Sequence, residues 1–270
     1  MSKHDKLTAE EMAGFRLNSE LLARIEECGR RLGLEPGRIN VLDYGCGRGR
    51  SVAKLRELGY RAFGVDVDSE PLANGRPYLS QSGLNADEVL RVIGDDGRTD
   101  FGDGFFHFVF SEQVIEHVGE LEAVLAEIAR ITVADGTAFH VFSAPHRLIE
   151  EHVRMPLVHW LPKCGVRRVW VLACLLCGKD PGWKELQKER LSKRAAAYAD
   201  YLNRKTFYRS CGNVLAVARK YFLEAEADVP GSLSALGVHR LCLHAARRIH
   251  WRLYRWLCFQ TVAIRLALVK

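Results

Sequence analysis

Residues 41–50 read VLDYGCGRGR: an apolar strand end, an acid, then glycines at 45, 47 and 49. A glycine-rich turn after a buried strand lets the backbone approach a ligand closely, because no Cβ stands in the way. A dinucleotide turn of the G-x-G-x-x-G form needs its third glycine for tight helix–strand packing. Counting from Gly45, that place is held by Arg50, whose long side chain cannot do the work of a missing one. A Walker-type phosphate loop would run on into Lys-Ser or Lys-Thr, and this stretch does not. What remains is Asp43-x-Gly45-x-Gly47-x-Gly49, leading into a helix whose free N–H groups open near Arg50.

Outward from the turn, strand and helix patterns alternate. The sequence predicts strands over 39–45, 61–67, 88–94, 105–111 and 136–145, with helices over 50–60, 69–83 and 121–133. Upstream, Thr8 and Glu11 have the form of a capping box, and a second helix follows Asn18 with Gly33 as its stop. After Pro145 the rhythm breaks into a stretch rich in Trp, His and charge. It resumes with a helix over 206–222 and strands over 223–229 and 261–269. The expectation is an α/β fold with a doubly wound parallel sheet of seven strands and an inserted helical cap. Its parts are N-terminal helices covering the site (1–38), a ligand-binding core (39–145), a cap (146–205), and the rest of the core (206–270) with an insertion at 230–258.

The stretch at 41–49 resembles the first motif of class I S-adenosylmethionine-dependent methyltransferases, usually V-L-D-x-G-C-G-x-G, and the likeness runs through most of the chain. The resemblance implies a Rossmann-like core that binds S-adenosyl-L-methionine, with Asp43, Gly45, Cys46, Gly47 and Gly49 cradling its methionine and ribose. GVDVD (64–68) looks like the family's second motif, so Asp66 would accept both ribose hydroxyls, and Val67 would line the adenine slot. The stretch 92–118 is similar to the family's third and fourth strands. It places Asp95 by the adenine, Asp96 beside it through its backbone, and Ser111 with the cofactor set. Where the family writes F-D-x-V, this chain has Phe106-His107-Phe108-Val109, without the carboxylate.

Methyl transfer from a sulfonium is an in-line displacement from an activated donor. The protein must align the nucleophile and exclude water, and it needs a base only if the acceptor must lose a proton. SEQVIEHV (111–118) resembles the S-E-V-x-E-H-V of quinone-biosynthesis O-methyltransferases, where two Glu and the His are implicated in binding a divalent metal. Gln113 stands where the first Glu belongs, and an amide is a weaker ligand for a hard cation. No metal is therefore assigned to Glu116 and His117. SAPHRLIEEHVRMPLVHWLPK (143–163) resembles a segment of bacterial methyltransferases and puts His146, Glu151, His152 and His159 next to the acceptor pocket. Histidine is the natural base near neutral pH, so His146 and His152 are the catalytic candidates. Glu150 and Glu151 would alternatively steer a cationic acceptor, and packing within the cap accounts for all of these residues equally well.

The composition bounds the remaining classes. With 48% hydrophobic and 27% charged residues the chain can bury a core, and a net charge of +6 without an RNA-binding module argues against nucleic acid. The N-terminus is polar, and the longest apolar run, VWVLACLLC (169–177), is far short of the roughly 20 residues that span a bilayer. A cytoplasmic protein with reduced cysteines is expected, and Cys174-x-x-Cys177 has no partners to complete a zinc set. The basic aromatic stretches VRRVWVLACLLC and RRIHWRLYRWLC fit a membrane interface, a pocket for a lipid-linked acceptor, or ordinary packing of cap on core. The expected activity is O-methylation of a small-molecule, glycan or lipid-linked hydroxyl. N- or C-methylation, or a cofactor-binding interaction protein without turnover, remain the alternatives.

Overall fold

A computed structural model describes residues 6–94, 97–229 and 237–270. Strands β1 (Asn40–Tyr44), β2 (Arg61–Asp66), β3 (Leu90–Val92), β4 (Phe106–Glu112), β5 (Thr132–Ser143), β6 (Glu224–Asp228) and β7 (Ala263–Val269) form one sheet in the order β3-β2-β1-β4-β5-β7-β6. The reversal of strand order beside β1 puts a crevice at the carboxyl ends of β1 and β4, where doubly wound sheets bind ligands. The seven strands and the α/β class are as the sequence predicts. The all-parallel expectation fails at β7, which runs antiparallel to both β5 and β6. The reason is visible in β6, Glu-Ala-Glu-Ala-Asp, whose residues alternate exposed and buried in the manner of an antiparallel edge.

Helices α1 (Ala9–Gly14), α2 (Ser19–Leu32), α3 (Arg50–Glu57), α4 (Ser69–Gln81), α5 (Ala86–Val89) and α6 (Leu121–Ile131) flank the sheet. The caps follow the sequence reading: Thr8 Oγ1 accepts from the Glu11 N–H at 3.2 Å, Asn18 Oδ1 accepts from the Glu20 N–H at 2.9 Å, and Gly33 ends α2 with φ +66°. Two boundaries move. The helical turn α5 takes Glu88 and Val89, which shortens β3, and Thr132 leaves α6 to begin β5 while its hydroxyl donates to the Ile128 carbonyl at 2.6 Å.

Beyond β5 lie α7 (Gly165–Leu176), α8 (Leu191–Lys205), α9 (Cys211–Ala218), α10 (Gly237–Ile249) and α11 (Trp251–Thr261). The helix expected over 206–222 shrinks to α9, started by the Ser210 hydroxyl accepting from the Asn213 N–H. Residues 206–210 instead run past the end of β4, where the Phe207 N–H donates to the Glu116 carbonyl at 2.6 Å. One face of the sheet buries Phe63, Phe101 and Phe106 edge to face, and the other packs Val52, Leu55 and Leu72 from α3 and α4. The segment after β5 has an apolar core of its own, with Val153, Met155, Val158, Val171, Tyr198 and Leu202 fully buried.

Candidate functional site

The glycine turn closes over the end of β1 in left-handed backbone. Gly45, Gly47 and Gly49 have φ of +87°, +54° and +72°. A Cβ on Gly45 would meet Val114 Cγ2 at 2.3 Å, and one on Gly49 would meet Leu90 Cδ2 at 2.8 Å, whereas Gly47 faces open space. The turn is pinned to β2, since the Gly45 and Cys46 N–H groups both donate to the Val65 carbonyl, at 2.7 and 3.0 Å. The Gly47 N–H donates to Asp66 Oδ2 at 2.8 Å, while Asp66 Oδ1 accepts from the Asp68 N–H at 3.0 Å. Helix α1 is drawn over this turn because Glu11 holds the Arg48 guanidinium in a largely buried pair and also reaches Arg50 at 3.5 Å.

Three carboxylates give the crevice its electrostatic character. Asp43 is buried at the end of β1, and its pKa is pushed well above the ordinary carboxylate value by burial, then by the charges of Glu112 and Asp66. Burial likewise raises Glu112, against a hydrogen bond from Asn18. Three acids around a turn whose own buried cation, Arg48, is already paired with Glu11 favour a positively charged ligand and oppose a pyrophosphate. The sequence reading includes Asp43 and Asp66 but misses Glu112, which sits one residue past the expected end of its strand.

The other expected cofactor residues fall unevenly. Val67 is 74% exposed just beyond Asp66, open to a ring laid against it. Cys46 turns its thiol inward onto Gly64, and burial followed by the Asp43 and Asp66 charges raises its pKa, so only its backbone faces the turn. Ser111 is a correction: it is fully buried, and its hydroxyl lies 2.8 Å from His140 Nδ1 between β4 and β5, so it offers no side-chain surface to a ligand. Asp95 and Asp96 lie outside the described residues.

A second cluster forms where β4, β5 and the segment before α9 converge. Gln113 leaves β4 with φ +56° and leads into a 3-10 turn, Ile115–His117. With its amide nitrogen inward, Gln113 donates toward Glu151 Oε2 and Ser143 Oγ at 2.9 Å each and toward Glu116 Oε1 at 2.5 Å. This orientation satisfies the Ser143 hydroxyl, whose single proton goes to Glu151. Glu116 is 1% exposed, its Oε2 has no partner, and burial lifts its pKa to about 7.

Beside Glu116 two histidines meet edge to face, with Nε2 of His117 and Nε2 of His152 only 2.9 Å apart. His117 Nδ1 donates to the Lys205 carbonyl at 2.6 Å, and His152 Nδ1 donates to Glu150 Oε1 at 2.7 Å. Both inner nitrogens therefore carry lone pairs, and the gap between them calls for a proton or a cation. Glu150 is buried and fully engaged: Oε1 also accepts from the Tyr208 hydroxyl at 2.5 Å, and Oε2 accepts from the N–H groups of His152 and Val153 at 2.8 and 2.7 Å. Burial alone would lower the His152 pKa, but the hydrogen bond and charge of Glu150, with Glu116 and Glu151, raise it above the usual histidine value.

Of the expected acceptor-side residues, the structure brings His152 together with Glu116, His117 and Glu151. His146 sits apart and exposed, its Nδ1 2.8 Å from Gln260 Oε1 and its ring against Trp160. His159 packs on Tyr208 with both ring nitrogens buried and unpartnered, and burial pushes its pKa down to about 4. The role of Glu150 as a steering charge for an acceptor is corrected, because its carboxylate is spent on His152 and Tyr208. The sequence reading missed Tyr208, which it placed inside a helix.

The oxygen of Glu116 and the inner nitrogens of His117 and His152 also lie close enough to hold one metal ion, all within 4.8 Å of one another. The two clusters are neighbours, since Val114, between Gln113 and the 3-10 turn, packs on Gly45.

Comparison with known proteins agrees with this geometry. Residues 42–140 match the family described as "Methyltransferase domain". The ubiquinone biosynthesis O-methyltransferase of Methylococcus capsulatus is 29% identical over 113 residues, 42% of this chain and 46% of that protein. A probable chloroplastic tocopherol O-methyltransferase of Oryza sativa is 30% identical over 112 residues, 41% of this chain and 30% of that protein. The matched stretch spans less than half the length of either relative. A Haemonchus contortus phosphoethanolamine N-methyltransferase 2, solved with phosphomonomethylethanolamine and S-adenosylhomocysteine, superposes with a TM-score of 0.53 at 14% identity, covering 92% of this chain and 52% of that one. Residues 42–140 are thus similar to methyltransferase domains, and the chain shares the Rossmann-like fold of that solved structure.

Proposed function

We propose that the chain transfers the methyl group of S-adenosyl-L-methionine to a hydroxyl of a small-molecule, glycan or lipid-linked acceptor. The observation that carries this reading is the convergence of Asp43, Asp66 and Glu112 on a left-handed glycine turn, a site built for a cationic cofactor rather than an anionic dinucleotide. Asp66 exchanges its bond to the Gly47 N–H for the ribose hydroxyls, Val67, Asp95 and Asp96 receive the adenine, and Gly45, Gly47 and Gly49 let the backbone close on the methionine. The N-terminal helices (1–38) cover the cofactor through the Glu11–Arg48 pair, and the cap (146–205) borders the acceptor. That a structural neighbour was solved with S-adenosylhomocysteine supports the cofactor.

On the acceptor side His152 is the base, with His117. A proton leaving the hydroxyl is held between the two Nε2 atoms, with Glu150 behind one ring and the Lys205 carbonyl behind the other. Glu150 fixes the tautomer and stabilises the imidazolium formed. Gln113 keeps the Glu116 and Glu151 carboxylates in place through its amide protons.

A second reading draws on the same pair of facing lone pairs. Glu116, His117 and His152 fit a divalent cation, and each histidine backs onto a hydrogen-bond acceptor, as metal-bound histidines do. Such a cation would lower the pKa of a bound hydroxyl.

Calorimetry tests the cofactor: S-adenosylhomocysteine should bind and NAD should not, and the reverse result would sink the reading. Incubating cell extract with cofactor carrying a labelled methyl group identifies the acceptor. Repeating that reaction after chelation, with zinc or magnesium restored, separates the histidine base from the metal. No helix among the described residues is long and apolar enough to cross a membrane.

A further inference from the structure

Helix α7 has apolar residues on both of its sides, yet the described residues cover only one of them. Val171, Cys174 and Leu175 enter the cap core, and Arg167 turns inward with them, donating to the Leu202 carbonyl at 3.3 Å and to Asn203 Oδ1 at 2.9 Å. The opposite side carries Val166, Val169, Trp170, Ala173, Leu176 and Cys177, all exposed, with Val169 and Leu176 each at 68%. At about 100° per residue these six positions occupy one arc of roughly 120°. A surface helix normally turns charge to water on such an arc, and a contiguous apolar patch of this kind marks a contact surface. The patch continues beyond the helix, because Trp170 Nε1 donates to the Pro156 carbonyl at 2.7 Å and Pro156 bridges to the exposed Ile149, next to Glu150.

Charge around the patch selects what covers it. From His152 through Lys179 the chain holds no Asp or Glu and five basic residues, Arg154, Lys163, Arg167, Arg168 and Lys179. Lys179 follows the end of α7, and Arg154 belongs to the turn that Trp170 touches; Arg168 stands about 80° around the helix from the nearer edge of the arc, toward α8, and all three are exposed. Nearby acids are already spent: Asp180 pairs with Arg194, Glu189 with Lys193 and Asp200 with Arg204. A second copy on this face would oppose like charges with no acid to pair them. Apolar side chains with an interfacial tryptophan, rimmed by unopposed Arg and Lys, match the headgroup region of an anionic bilayer.

We infer that the exposed arc of α7 docks the protein on an anionic lipid surface, lying in the interface and not crossing it. This inference is independent of the methyl-transfer reading. It places the rim of the His117–His152 cluster at the headgroups, where a lipid-borne acceptor would be met.

Co-sedimentation with vesicles tests it. The full chain should bind vesicles of phosphatidylcholine with about a third phosphatidylglycerol, bind pure phosphatidylcholine far less, and release as salt rises. The double variant Val169→Glu/Leu176→Glu should lose binding by tenfold or more, and Lys179→Gln by about fivefold, since a basic residue near such a surface contributes ~1 kcal/mol. Both leave the buried side of α7 intact, and their melting temperature and S-adenosylhomocysteine affinity should match the parent chain. Three results would overturn the inference. One is no binding to the anionic vesicles even at low salt. Another is equal binding by parent and double variant. The third is a concentration-dependent dimer in light scattering that the double variant abolishes, which would assign the face to a second copy.

Discussion

Replacing Asp66 separates the two jobs this carboxylate performs. In the structure it accepts from the N–H groups of Gly47 and Asp68 at 2.8 and 3.0 Å, and its charge is one of those that raise the Asp43 pKa. In the proposed cofactor complex the Gly47 contact gives way to ribose hydroxyls, so Asp66→Ala removes hydrogen bonds to a charged acceptor. Losing this acceptor should weaken binding by roughly 1.5–3 kcal/mol in total, which predicts an increase in Kd of about tenfold to about 150-fold. Asp66→Asn should fall between, because one oxygen still accepts while the amide nitrogen cannot. Charge appears in a second comparison. S-adenosylmethionine carries a sulfonium and S-adenosylhomocysteine does not, so losing one of three carboxylates must weaken the first more than the second. Calorimetry with both ligands on folded variants reads both effects. An Asp66→Ala protein that melts like the parent and binds S-adenosylhomocysteine within threefold of it would falsify the ribose assignment. If both ligands weaken by the same factor, the three-carboxylate account of cofactor choice is wrong.

The glycines of the turn should rank by their surroundings. Gly45→Ala meets Val114 and a φ of +87°, and should lower the unfolding free energy by about 2–5 kcal/mol, whereas Gly47→Ala, in open space, should lose only the ~1–2 kcal/mol of left-handed backbone; urea titration compares them. Asp43 holds its proton to higher pH in the folded chain than in the unfolded one. Its contribution to stability is therefore complete below the ordinary carboxylate range and lost as pH rises through the folded value. Asp43→Asn should accordingly flatten the decline of unfolding free energy with pH, and an unchanged slope would contradict the burial of that charge. Glu150→Gln should lower kcat, with S-adenosylhomocysteine affinity unaltered, by up to about 10²–10⁴-fold, which is what the His152 base it orients contributes. A loss confined to KM would instead make Glu150 part of acceptor binding.

The glycine turn was legible in the sequence because its determinants are local. Asp43, the glycines and Asp66 sit on consecutive β–turn–α units, and each glycine has a neighbour or a φ that demands it. The histidine cluster was legible only in part. His152 stood out as a histidine, but its partners come from residues 113–117, 150–153 and 205–208, and no sequence spacing joins three such segments. Tyr208 was lost because 206–222 scans as one helix, whereas Phe207 bonds to the Glu116 carbonyl and holds 206–210 out of it. The antiparallel β7 was also missed. Its apolar run, AIRLALV, reads the same in either direction, and only the alternation of β6 gave the sense of the pairing.

Gln113 shows how the two halves of the site constrain each other. A residue with φ +56° at this corner would be relieved by glycine, yet the chain keeps a glutamine there at a backbone cost. Its side chain explains the choice. Glu116 and Glu151 lie on either side of it, Glu116 almost without water, and two facing carboxylates need a donor between them. An amide has two N–H groups to give and adds no charge, whereas a glutamate here would add a third negative group beside them. The next residue, Val114, fills the space over Gly45 that a Cβ would claim. The same corner thus sets the wall of the glycine turn and holds the Glu116 and Glu151 carboxylates beside the histidine pair, so a change at 113 or 114 is expected to disturb both clusters.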